Sequence, residues 1–205
     1  MTPATRPAEI QLNPFRVRAT PILRKLSDED FYDLCQANPE LRIELTKEGD
    51  LLLMPPTGGE TGGNNFNLSG EFHIWVKFDK RGKGFDSSTG FTLPNGAKRS
   101  PDLAWVRRER WEALTPQQRR IFPPLCPDFV VELRSPSDSL DQLKEKMREY
   151  MDNGAQLGWL IDTRERKIYI YRQDTPLEVL DNPASVSGEP LLHGFILEMK
   201  VIWEE

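Results

Sequence analysis

Two stretches of the chain decide its architecture: Ser100-Pro101-Asp102-Leu103-Ala104-Trp105-Val106 and, after a charged segment, Pro127-Asp128-Phe129-Val130-Val131-Glu132-Leu133-Arg134-Ser135-Pro136-Ser137-Asp138. The apolar run in each is short and contains β-branched or aromatic residues, which predicts a buried strand. Each also carries a carboxylate that packing does not require, Asp102 and Glu132. Two apolar strands that bring an Asp and a Glu together make a cradle for a divalent cation. The segment after them predicts a helix from Ser139 to Asp152, and it carries Lys146. Acid, acid and lysine on a strand, strand, helix unit is the residue set for metal-assisted phosphodiester hydrolysis.

Working outward, Ser27-Asp28-Glu29-Asp30 reads as a capped helix start, with the helix running to about Ala37. Leu41 to Leu45 and Leu51 to Met54 flank Glu48-Gly49-Asp50 as a hairpin. A loop from Pro55 to Gly59 leads into a helix from about Glu60 to Asp79, and Gly84 to Leu93 predicts two short strands. Arg110 to Arg120 reads as helical, broken by Pro116. Asn153-Gly154 closes the helix that carries Lys146. Strands follow at Gly158 to Asp162 and Lys167 to Tyr171, with shorter ones near Glu178 and Phe195. This order predicts an α/β fold, a mixed β-sheet flanked by helices, with an N-terminal helix and β-hairpin. Residues 1–20 are expected to be a loose arm and 21–205 a single domain.

Each candidate has a structural alternative. Asp102 follows a proline and can end a turn facing water. Glu132 follows Phe129-Val130-Val131 in a strand that reads as buried, where an unpaired carboxylate is costly. Arg134, two residues on, shares its face and offers an ion pair in place of a metal. Asp128 lies only four residues before Glu132, ~13 Å along an extended strand, too far to share one ion. On the helix, Leu140, Leu143, Met147, Tyr150 and Met151 form the apolar stripe. Lys144 and Lys146 flank it on opposite sides, so the helical wheel does not choose between them. Glu44 alternates with Ile43 and Leu45, as an outward-facing acid would. Tyr150, Trp159, Tyr169 and Tyr171 have the spacing of core residues.

The chain has 205 residues and a formal net charge of −5, which argues against a protein that coats nucleic acid non-specifically. Between residues 98 and 120, however, Lys98, Arg99, Arg107, Arg108, Arg110, Arg119 and Arg120 outnumber Asp102, Glu109 and Glu112. That segment either holds phosphates or is a solvated face of mixed charge. Cys35 and Cys126 read as reduced thiols of a cytoplasmic protein, and no Cys/His cluster has zinc spacing. The N-terminus lacks the apolar run of a signal peptide, and no stretch approaches the ~20 apolar residues of a membrane helix. The glycines at 58, 59, 62 and 63 are not followed by the Lys-Ser/Thr of a P-loop, and no serine-nucleophile elbow is present.

Pro101-Asp102 and Glu132-Leu133-Arg134 resemble the Pro-Asp…(Asp/Glu)-x-Lys signature of restriction-endonuclease-like nucleases. The longer string is more specific: Val131 to Asp138, then Lys146-Met147 and Tyr150, then Asn153-Gly154-Ala155-Gln156-Leu157-Gly158-Trp159-Leu160-Ile161-Asp162. It resembles the Uma2 family of endonucleases over roughly residues 20–200. The resemblance implies a restriction-endonuclease-like core and a Mg²⁺ (or Mn²⁺) site formed by Asp102, Glu132 and the Leu133 carbonyl. It favours Lys146 over Lys144, and gives Glu44 a subsidiary role, touching the metal through water. The chain departs from the general signature at Arg134, which cannot act as a base but offers a phosphate contact, as do Arg99 and Ser135. The function so implied is endonucleolytic hydrolysis of nucleic acid, DNA first, by a homodimer whose apolar C-terminal segment supplies contact surface. The competing reading is an inactive binding module on the same fold, with Arg134 neutralising Glu132.

Overall fold

The computed structural model describes residues 15–17 and 26–204. In chain order the elements begin with β1 (Phe15–Val17), α1 (Asp28–Ala37), β2 (Arg42–Leu45), β3 (Leu51–Met54), α2 (Gly59–Asp79), β4 (Gly82–Asp86), β5 (Phe91–Thr92) and β6 (Lys98–Arg99). They continue with β7 (Leu103–Arg107), α3 (Arg108–Glu112), α4 (Pro116–Arg120), β8 (Phe129–Arg134), α5 (Leu140–Asp152), β9 (Leu157–Asp162) and β10 (Lys167–Arg172). The last are β11 (Glu178–Asp181), β12 (Ser185–Ser187), β13 (Ile196–Glu198) and α6 (Lys200–Trp203).

The expected mixed sheet is the six-stranded one, in the order β11-β10-β9-β8-β7-β4. Its one parallel pair is β8 with β9; the remaining neighbours are antiparallel. Strand alternation divides its residues between two cores. Trp105, Phe129, Val131, Leu133, Trp159, Ile161 and Ile168 face α2 and the C-terminal segment. Ala104, Val106, Val130, Leu160 and Tyr169 face α5, which contributes Met147 and Tyr150. Gly158 lets α5 lie close on β9, because a Cβ there would overlap the Met147 methyl. Ser139 caps the start of α5, and Gly154, at φ +103°, reverses the chain just after it.

The second sheet has the order β1-β3-β2-β6-β5 and contains the expected hairpin, β2 with β3. Ile43 and Leu45 on one face of β2 pack with Phe31 of α1. Ser27 and Asp30 form a reciprocal capping box at the start of α1. Beyond β6 the chain passes directly into the six-stranded sheet as β7, so residues 99–102 bridge the two sheets.

Several expectations need correcting. Residues 15–17, assigned to the loose arm, pair with β3 as a strand; the rest of that arm lies outside the described residues. Pro116 does not break one helix but opens a second, as the first residue after the Thr115 cap. The C-terminal apolar segment is not free contact surface. Phe195, Leu197 and Ile202 are buried, Val201 and Trp203 pack against the core, and only Ile196 of the group is exposed. The reason is that Phe195 fills the space between Phe72, Trp75 and Trp159, completing the aromatic layer on that sheet face. No helix among the described residues is long and apolar enough to cross a membrane.

Candidate active site

The carboxylates meet where β7 begins and β8 ends. Leu103 lies opposite Val131 in the antiparallel β7–β8 register. One more step along that register places Asp102 opposite Glu132, on the face that carries Ala104 and Val130. Asp102 Oδ2 accepts a hydrogen bond from the Leu133 N–H at 2.8 Å, which ties the Asp to the backbone beside Glu132. Arg42 from β2 approaches Asp102 Oδ1 at 3.7 Å and donates to the Ser100 carbonyl at 2.8 Å.

Lys146 enters from α5. Its Nζ lies 2.8 Å from Glu132 Oε1 and 2.9 Å from Glu44 Oε1. Lys144 points elsewhere, with its Nζ 4.4 Å from the centre of the Tyr169 ring. Glu44 is not an outward-facing acid but is almost wholly buried. It accepts from the Ser100 N–H at 2.9 Å, from Lys146, and from Arg99 at 3.1 Å. Both of its oxygens are therefore engaged, Oε1 by Lys146 and the Ser100 N–H and Oε2 by Arg99, so it holds Lys146 in place. Its burial follows from β2: Ile43 and Leu45 take the α1 side, which turns Glu44 toward the bridge at residues 99–102.

The electrostatics follow from these contacts. Burial pushes the Glu132 carboxyl up, Lys146 opposes it, and the charges of Asp102 and Glu44 add to the rise, leaving it at about 7. Burial likewise raises Asp102, against Arg42 and the Leu133 N–H. Burial would raise Glu44 too, but Lys146, Arg99 and the Ser100 N–H outweigh it and hold the acid at about 2. Burial pulls Lys146 down, yet Glu132 and Glu44 leave it above its ordinary value, so it stays a cation.

These groups line one cleft of about 1220 Å³, which also receives the loop at 135–139 and the start of α2. Glu132 is 4% exposed. Oε1 takes Lys146 and, at 2.9 Å, the Tyr150 hydroxyl, while Oε2 has no protein partner among the described residues. The buried acids outnumber the cations free to neutralise them, because Arg99 is shared between Glu44 and Glu149. Among the described residues no group of three or more His, Cys, Asp or Glu side chains is arranged to hold a metal. Two carboxylates with a nearby backbone carbonyl fit Mg²⁺ instead, which keeps several waters and needs only one or two acids.

Two sequence candidates fall outside this arrangement. Arg134 does not reach Glu132; it pairs with Asp162 at 2.7 Å, its register neighbour on β9. Its Nε also lies 3.3 Å from the Asp138 carbonyl, so the guanidinium is held at the loop before α5. Asp162 is fully buried. Arg134→Met is accordingly expected to cost about 3 kcal/mol in urea unfolding, by leaving that acid unpaired, and to leave metal binding unchanged. Asp128 sits at the far end of β8, paired with Arg110 at 3.0 Å. The basic segment is largely paired within the protein, Lys98 and Arg99 in its interior and the others at its surface, where Arg108, Arg119 and Arg120 are exposed. Lys98 pairs with Asp28, Arg99 with Glu44 and Glu149, Arg107 and Arg110 with Asp128, and Arg119 binds the carbonyls of Trp111 and Glu112. Of it, Arg99 and Asp102 line the cleft. Ser135 lines it as well, with its N–H donated to Asp138.

Sequence reasoning missed Tyr150, read as core, and Arg42. The spacing held a signal for the first: Tyr150 is four residues after Lys146, on the same side of the helix. No comparable signal marks Arg42.

The family model described as "Putative restriction endonuclease" matches residues 28–200. The chain belongs to the Uma2 family. Among solved structures it is similar to "a putative nuclease belonging to DUF820" from Anabaena variabilis, with a TM-score of 0.70 and 21% identity. That match covers 87% of this chain and 97% of the other. At this identity the likeness establishes the restriction-endonuclease-like fold. No curated protein matches the chain.

Proposed function

We propose that this Uma2 protein is a divalent-metal-dependent endonuclease that hydrolyses phosphodiester bonds, with DNA as substrate. The observation that carries the reading is a nearly buried Glu132 whose Oε2 has no hydrogen-bond partner among the described residues, opposite Asp102 and held by Lys146 through Oε1. Asp102, Glu132 and the Leu133 carbonyl would hold Mg²⁺ or Mn²⁺. Such an ion polarises the scissile phosphate and lowers the pKa of a bound water. Lys146 is a cation with three donors, two of them spent on Glu44 and Glu132. The third is directed to a phosphate oxygen or the attacking water, where it stabilises the charge that builds on phosphorus. Glu44, itself fixed by Arg99 and the Ser100 N–H, keeps that lysine in place. Water adds to phosphorus, the bond to the 3′ oxygen breaks, and the products are a 5′-phosphate and a 3′-hydroxyl.

The engagement of Arg134 by Asp162 removes the ion pair on which the inactive-module reading depended. The reading is tested by incubating purified protein with supercoiled DNA and Mg²⁺ or Mn²⁺. Metal-dependent nicking is expected, with a rise in melting temperature on adding metal alone. The absence of both would overturn it. We place the enzyme in the cytoplasm, where the free Cys35 and Cys126 stay reduced. We also expect a homodimer, and a monomeric mass in light scattering at micromolar concentration would refute that part.

The Glu132 carboxyl sets a pH dependence. Its folded value of about 7 lies above the ordinary 4.5, so the folded state binds the proton more tightly than the unfolded chain. The metal-free protein therefore loses this contribution to stability as pH rises from about 4.5 to about 7. Metal competes with the same proton. The melting-temperature rise caused by Mn²⁺ is expected to be largest above pH 7 and to shrink steadily toward pH 5, which differential scanning fluorimetry measures directly.

A further inference from the structure

We infer that Tyr150 is a positioning residue that selects which oxygen of Glu132 faces the cleft; this rests on the metal site proposed above. The Tyr150 hydroxyl donates to Glu132 Oε1 at 2.9 Å, the same oxygen that Lys146 holds at 2.8 Å. A carboxylate oxygen has two lone pairs, so these two donors fill Oε1. Oε2 is left as the oxygen available to a cation. Had either donor engaged Oε2, each oxygen would keep only one lone pair, and Oε2 would meet a cation with a hydrogen bond already drawing on it.

Tyr150 is built to hold this orientation. Its side chain is fully buried, with the ring in the core between the six-stranded sheet and α5. Its carbonyl accepts from the Ala155 N–H at 3.0 Å and from the Cys126 thiol at 3.4 Å, which fixes the end of the helix that carries it. Four residues earlier, Lys146 projects from the same side of α5, so one rigid element delivers both donors. A buried tyrosine hydroxyl usually finds some acceptor, but not every one does here: the Tyr171 hydroxyl is buried without one among the described residues. The Tyr150 contact is thus a specific placement, of the kind by which groups outside the ligand sphere orient a metal ligand.

The test is Tyr150→Phe. Oε1 keeps Lys146, so the change strands no buried oxygen. Mn²⁺ binding is measured without nucleic acid, by the electron paramagnetic resonance of free Mn²⁺, alongside thermal melts in EDTA. The variant is expected to melt near the wild type in EDTA and to bind Mn²⁺ on the order of tenfold more weakly. In DNA nicking, the Mn²⁺ concentration for half-maximal rate should rise by the same factor, with kcat largely recovered at saturating metal. Equal Mn²⁺ affinity in variant and wild type would overturn the role of Tyr150. So would a melt in EDTA far below wild type, which marks a purely structural hydroxyl, or a kcat reduced at every metal concentration, which marks a part in the chemical step rather than in holding the metal ligand. If the wild type itself binds no Mn²⁺, the metal site fails first, and the role of Tyr150 falls with it.

Discussion

Glu132→Gln protein is expected to fold normally and to lose metal-dependent DNA nicking. Glutamine keeps the shape of the side chain and an oxygen for the Tyr150 hydroxyl, but it loses the charge that would hold a cation opposite Asp102. With the wild-type acid at about 7, the folded protein near neutrality already tolerates an uncharged group here, and Lys146 retains Glu44. Unfolding in urea with EDTA should therefore shift by about 1 kcal/mol or less. The loss of nicking should exceed the ~10–100-fold typical of a residue outside the ligand sphere. The rise in melting temperature with Mn²⁺ should disappear with it. Nicking that persists in the variant would point to a contaminating nuclease or another site. Silence in both proteins, with no melting shift in either, would return the scaffold to a binding role.

Lys146→Met should have the larger effect on stability. It removes the one cation shared by two buried carboxylates, 2.8 Å from Glu132 and 2.9 Å from Glu44. Breaking a buried pair by deleting one partner costs about 3–5 kcal/mol, because the charge left behind is uncompensated. Here two acids are affected, and both can escape the penalty by taking up protons. The wild-type Glu44, depressed to about 2, contributes stability that is present above about 4.5 and lost as pH falls through about 2. The variant forfeits the Lys146 share of that contribution. Its deficit relative to wild type should thus be greatest at pH 8 and should narrow toward pH 4, as followed by urea unfolding. Nicking should be lost at every pH. Lys144→Met, which removes a cation lying over Tyr169, should cost no more than about 1 kcal/mol and leave nicking intact.

Much of this was legible in the chain. Local chemistry marks the elements: Ser27 and Ser139 as caps, Asn153-Gly154 as a stop, and Glu48-Gly49-Asp50 as a hairpin turn. These depend on neighbours within a few residues, so the sequence carries them directly. Asp102 and Glu132 stood out for a similar reason, as acids at the start and near the end of apolar runs where burial makes charge costly.

Pairing was not legible. Arg134 had the right type and spacing to neutralise Glu132, and strand periodicity put the two on one face. The parallel β8–β9 register decided otherwise, by setting Asp162 beside Arg134. From its spacing alone Glu44 read as a surface acid, and only the family resemblance gave it a place at the site, because alternation along β2 tells which residues share a face, not what covers the other one. The basic run at 98–120 left two readings open, a phosphate surface or a solvated face of mixed charge, because its counter-charges, Asp28, Glu44, Asp128 and Glu149, come from four other parts of the chain. By itself the sequence determined the elements, the two acids, and two candidate lysines. The family string favoured Lys146, but only the tertiary structure decided which partners the buried charges take: Lys146 beside Glu132 and Glu44, and Asp162 rather than Glu132 for Arg134. Local propensities act over one turn or one strand, whereas the partner of a buried charge is set by register and packing between segments far apart in the chain.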